Sequence, residues 1–180
     1  MRSMILSAAL VGAALVHSPA FAQDAEAEKK AIAKIRESGA LVLEIAQNDN
    51  RLDVSYITAQ GKVTAEQLAP LKDLTRLAHL NLRGLEIGDD AVAHIAGQKT
   101  LVRLHLEKTK ITDKALELIK GLENLEYLNV YGTEIGDAGL AHLANLKKLK
   151  SLYVWQTKVT DEGVKKLQEA LPGLKIIRGT

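Results

Sequence analysis

From Leu77 onward the chain repeats itself every 24 residues. Units begin at Leu77 (LAHLNLRGLEIGDDAVAHIAGQKT), Leu101 (LVRLHLEKTKITDKALELIKGLEN), Leu125 (LEYLNVYGTEIGDAGLAHLANLKK) and Leu149 (LKSLYVWQTKVTDEGVKKLQEALPG), the last one residue longer. One period upstream, DVSYITAQGKVTAEQLAPLKDLTR from Asp53 keeps the second half in register, and a half-unit, LKIIRGT, begins at Leu174. No unit of this size can bury its apolar face alone, so a fixed period of this length demands that units stack, each covering the next.

Each unit reads LxxLxLxxTxITDxxLxxLxxL. Its first part alternates with period two, as a half-buried strand does. After the Asp, apolar residues recur every three, as at Leu116, Ile119 and Leu122, which suits a short helix with one face on the core. The pattern over roughly residues 53–180 resembles the leucine-rich repeat family, and more narrowly its 24-residue, Thr-containing bacterial variety, whose members often occur in envelope proteins. The resemblance implies an α/β fold: a right-handed leucine-rich repeat solenoid, with a parallel sheet on the concave face and short helices on the convex face.

The ends depart from the repeat. Arg2, the apolar run Met4–Val16 and the small-x-small site Ala20-Phe21-Ala22 read as a secretory signal peptide over residues 1–22. That apolar run is shorter than the roughly 20 residues a spanning helix needs. A cleaved signal places the chain outside the cytoplasm, secreted or periplasmic, with no membrane insertion afterwards. Residues 23–52 read as an N-terminal cap. In it DAEAEKKAIAKIRESG forms a helix with Ala31, Ile32 and Ile35 inward and Gly39 as its stop, followed by a hairpin around Asn48-Asp49-Asn50. Residues 53–180 form the solenoid. Its C-terminal cap is thin, and an open strand edge there is an association liability. A monomer is the expected state, with association through that edge as the alternative.

Several repeated columns invite chemistry. Asp89, Asp113, Asp137 and Asp161 stand at one position of four units. Helix capping accounts for them better than a calcium ladder, since each precedes a helix and the closely spaced calcium-binding nonapeptide is absent. Thr109, Thr133 and Thr157 should bond backbone at the turn leaving each strand. Gln98 stands where Leu74, Leu122 and Leu146 stand elsewhere, and a buried unpaired amide is costly, so a looser, solvated turn is expected. His79, His105 and Glu107 share one face without a metal-ligand spacing, and Arg83 is expected to pair with Glu107 across strands. The chain has no Cys, which removes disulfides and thiolate sites, and it has no GxSxG motif or phosphate loop. No catalytic residue, metal site or cofactor is expected, and the chain reads as a non-enzyme. A net charge of +2 gives no reason to expect nucleic acid.

The informative departure lies on the strands. Positions one, four and six of each unit point inward; three, five and seven alternate outward. The outward residues are His79, Asn81 and Arg83; Arg103, His105 and Glu107; Tyr127, Asn129 and Tyr131; Ser151, Tyr153 and Trp155. Four of the aromatic residues therefore fall on the outward face of the last two full strands, where the repeat does not require them. Tyr, Trp and Arg are the side chains most enriched at binding hot spots. The expected site is thus Tyr127, Tyr131, Tyr153 and Trp155, with Arg103 and His105 at its rim. The expected partner is a protein or peptide. A glycan stacked on the same rings is the alternative.

Overall fold

The computed structural model describes residues 19–59 and 62–179. The apolar run of the expected signal peptide, Met4–Val16, lies outside the described residues. Helix α1 spans Pro19–Glu37, starting before the expected Asp24. Gly39 ends it at φ +91°, a left-handed turn that favours glycine. Ala31 and Ile35 are buried and Ile32 partly so.

Strands β1 (Leu41–Ala46) and β2 (Asp49–Ser55) form an antiparallel hairpin. Every later pairing is parallel: β2 to β3 (Leu77–Asn81), then β4 (Arg103–His105), β5 (Tyr127–Asn129), β6 (Ser151–Tyr153) and β7 (Lys175–Ile177). The seven strands make one sheet in sequence order. Each parallel crossing carries a short helix: α2 (Ala65–Leu68), α3 (Asp89–Ala93), α4 (Asp113–Ile119), α5 (Asp137–Ala141) and α6 (Asp161–Ala170). Equivalent repeat positions face one another: His79, Arg103, Tyr127, Ser151 and Lys175 form one row across the sheet, and Asn81, His105, Asn129, Tyr153 and Ile177 form the next.

The core lies between sheet and helices. Strand positions one, four and six are buried in all four full units, from Leu77, Leu80 and Leu82 to Leu149, Leu152 and Val154. One hydrophobic cluster runs from Ala31 to Leu174 without a break, as a stack of mutually covering units must. Glu28 ties α1 to this stack. It accepts hydrogen bonds from the Thr75 amide (2.8 Å) and hydroxyl (3.0 Å) and from Arg76 Nε (3.0 Å). Burial alone would raise its pKa, but these donors outweigh it and hold the carboxyl below its ordinary range.

The polar columns stitch unit to unit in a way that corrects two expectations. Helices α3 to α6 begin at the Asp itself, and the residue before it is the N-cap: Gly88, Thr112, Gly136 and Thr160. The Asp instead reaches the cap of the following unit. Asp89 accepts from the Thr112 amide (2.8 Å) and hydroxyl (2.7 Å), Asp113 from the Gly136 amide (2.7 Å), and Asp137 from the Thr160 amide (2.8 Å) and hydroxyl (2.6 Å). Asp161 ion-pairs with Arg178. Nor is Gln98 in a solvated turn. It is buried, and its amide donates to the Leu71 carbonyl of the preceding unit at 2.7 Å. That bond supplies the partner a buried amide requires. The Thr column is local: Thr109, Thr133 and Thr157 each donate to the carbonyl three residues back, at 2.6–2.7 Å.

Candidate functional site

Because successive strand residues alternate sides, the sheet face turned away from the helices carries the side chains the core does not use. At its N-terminal end Leu41 and Leu43 are about half exposed. With Asp53, His79, Asn81 and Arg103 they line a depression of about 290 Å³. The site expected from sequence did not include these two leucines. The alternation in ALVLEI, with Val42 buried between them, is the signal that marks them.

In the middle of the face, Asp53 and His79 Nδ1 lie 3.2 Å apart. On the adjacent strand β4, His105 Nδ1 lies 3.1 Å from Glu107 Oε1. Glu107 is 5% exposed, and its second carboxylate oxygen is buried without a hydrogen-bond partner among the described residues. The expected Arg83–Glu107 pair does not form. Glu107, in the turn after β4, bonds to His105 at the end of that strand instead, and Arg83 stays exposed.

The aromatic end consists of two ring groups. In the first, Tyr127 packs at a tilt against His105 (centroids 4.8 Å apart, planes at 34°) and against Tyr153 (5.3 Å, 43°), with the Arg103 guanidinium 4.7 Å from the Tyr127 centroid. In the second, Tyr131 and Trp155 stack at 5.1 Å with only 17° between their planes, and Lys108 Nζ sits 5.6 Å from the Tyr131 centroid. All six residues expected at the site therefore lie in these two groups. Cations over ring faces are attracted by the ring quadrupole, so the positive heads are held at the rings. Burial pushes the Tyr127 phenol up, partly offset by its hydrogen bond with Asn129; it remains a neutral hydroxyl at neutral pH. Trp155 is 45% exposed. On the β7 side it packs against Gly179, where an added Cβ would fall 2.4 Å from the indole. The ring is thus flanked by Tyr131 on one side and Gly179 on the other, and it presents its edge outward.

The turn after each strand supports these groups. Gly84, Lys108, Gly132 and Gln156 share one repeat position and positive φ, from 51° to 73°. The amides of the first three donate to the carbonyls of Glu107, Tyr131 and Trp155 in the following unit, at 2.7–2.9 Å. The backbone bearing Glu107, Tyr131 and Trp155 is therefore bonded to the unit before it. Among the described residues, no group of three or more His, Asp or Glu is arranged to hold a metal ion.

The fold defines an open α/β solenoid built from stacked strand–helix units. The family model described as "Leucine Rich repeat" matches residues 121–144, which supports a leucine-rich repeat reading of the fold. The leucine-rich repeat ectodomain of the receptor kinase SOBIR1 from Arabidopsis thaliana shares the fold. It has 17% identity and a TM-score of 0.53, with 85% of this chain and 91% of that one covered. Internalin C2 from Listeria monocytogenes is similar at 24% identity and a TM-score of 0.46, covering 70% of this chain and 69% of that one. A leucine-rich repeat protein of Leptospira interrogans is similar at 18% identity and a TM-score of 0.40. This chain covers only 33% of its length, against 62% of its own. No curated protein matches the sequence. No helix among the described residues is long and apolar enough to cross a membrane.

Proposed function

We propose that the chain is a non-enzymatic binding module. It holds a protein or peptide segment on the open face of its sheet through Tyr127, Tyr131, Tyr153 and Trp155, with Arg103 and His105 beside them. The observation that carries this reading is the packing of these rings in two groups, Tyr127 with Tyr153 and Tyr131 with Trp155, on the face the core leaves free, while Tyr56 is the one aromatic side chain in the described core. Together they form an aromatic ledge, and rings already packed against one another lose little freedom when a partner covers them.

Ring orientation favours a peptide over a sugar. A sugar stacks on a free ring face, whereas Trp155 is flanked by Tyr131 and Gly179 and offers an edge. Covering the exposed parts of four such rings buries on the order of 300 Å², about 8 kcal/mol at the usual area coefficient. Association costs roughly 4–15 kcal/mol, so the rings alone support only weak binding, and the polar groups beside them must contribute.

The same proposal puts the chain outside the cytoplasm after removal of residues 1–22, with residues 23–52 capping a solenoid of residues 53–180. Mass spectrometry of the mature protein checks the first part and should find Gln23 at the N-terminus.

The binding test is a pull-down from cell-envelope extract with the wild-type chain and a Tyr131→Ala/Trp155→Ala variant. Truncating residues central to an interface typically costs about 2 kcal/mol or more each, so the wild type should recover a protein that the variant loses. Equal recovery by both would refute the site. Retention on glycans, with no protein recovered, would favour the sugar.

A further inference from the structure

We infer that the segment held on this face is acidic, an inference that rests on the binding reading above and names the chemistry of the partner. The face carries Arg83, Arg103 and Lys108, and none of the three makes an ion pair among the described residues. Elsewhere the repeats match cations to acids one unit away, as in Lys110–Glu86, Lys150–Glu126 and Lys158–Glu134. Among the described residues of the open face no acid is paired with Arg83, Arg103 or Lys108, so this face carries unneutralised positive charge beside the rings.

The two acids on that side are already engaged. Asp53 faces His79, and Glu107 is buried against His105. An approaching segment therefore meets Arg83, Arg103 and Lys108 as exposed charge. Arg103 and Lys108 stand over Tyr127 and Tyr131, so carboxylates bound to them lie directly beside the aromatic ledge. A guanidinium donates two parallel N–H bonds to a carboxylate. The matching ligand is an extended segment with Asp or Glu side chains next to an apolar or aromatic one. A basic segment drawn to the buried Glu107 oxygen would first have to pass the flanking cations, at a cost in like-charge repulsion.

The test is selection of a random displayed-peptide library on the full chain. The wild type, the Tyr131→Ala/Trp155→Ala variant and an Arg83→Gln/Arg103→Gln/Lys108→Gln variant are compared, each checked for wild-type circular dichroism and thermal midpoint. Peptides enriched on the wild type should carry Asp and Glu in excess of the unselected pool, beside an apolar residue. The best of them, synthesised, should bind the triple variant about tenfold more weakly. Its affinity for the wild type should also fall as salt rises, a readout that needs no variant. Enriched peptides that are neutral or basic, yet lost on the Tyr131/Trp155 variant, would overturn the acidic partner and leave the aromatic site standing. Equal enrichment on the wild type and the Tyr131/Trp155 variant would overturn the site itself, and this inference with it.

Discussion

Gln156 and Lys108 stand at the repeat position that Gly84 and Gly132 occupy, and all four have positive φ. A side chain in the left-handed region costs roughly 1–2 kcal/mol, part of which glycine returns as greater freedom in the unfolded chain. Gln156 is exposed and its side chain makes no hydrogen bond among the described residues. Gln156→Gly should therefore raise stability by about 0.5–1 kcal/mol, measured as a higher urea midpoint at unchanged slope. At this scale, what was legible in the sequence was what is local. Thr109, Thr133 and Thr157 bond a carbonyl three residues back, and a periodic pattern contains that relation. Gln98 bonds a carbonyl 27 residues back, and Glu107 is buried by its neighbours. Neither partner follows from the identity of the residue or from its place in the unit.

The helices illustrate the same division one level up. Their starting points follow from the Asp column, but the side chain at each start serves the next helix, because stacking brings that cap within reach of its carboxylate. Hydrogen bonds from the Thr160 hydroxyl, and then its amide, hold the Asp137 carboxyl below its ordinary range. A carboxyl whose folded pKa is depressed stabilises the fold at pH above its unfolded value of about 3.9. That contribution is lost as pH falls through the folded value. The thermal midpoint should therefore decline on acidification below about pH 4, and Asp137→Asn should decline less steeply over that window, read by circular dichroism. A decline of the same steepness in both proteins would show that the clamp carries none of the acid sensitivity. The hairpin was legible as two alternating runs, whereas the orientation that turns Leu41 and Leu43 onto the open face depends on which side of β1 meets the core.

Across the whole molecule, every unit buries its apolar residues against its neighbours, in one cluster from Ala31 to Leu174. Stability in such a stack is a sum of unit terms and interface terms, with the interfaces favouring all-or-none behaviour in short arrays. Unfolding in guanidinium should accordingly give coincident transitions by far-ultraviolet circular dichroism and by tyrosine environment, as a two-state chain does. Separated transitions would mean that α1 and the hairpin come away independently of the repeats. The aromatic ledge and its charged margin, by contrast, are superimposed on this architecture: Tyr127 occupies a position where other units carry His79 and Arg103, Tyr153 one where they carry Asn81 and His105, and Tyr131 and Trp155 one where they carry Arg83 and Glu107. The inter-unit clamp also bears on how such a chain can be inherited. Each unit holds an acceptor for its successor and a donor for its predecessor, as Asp113 and Thr112 do in one unit. Duplication or loss of one unit's codons by recombination would leave every clamp at the new junction with both halves. The chain could thus lengthen or shorten in whole strands, about 4.8 Å of sheet at a time, and carry its aromatic end along intact as a single heritable block.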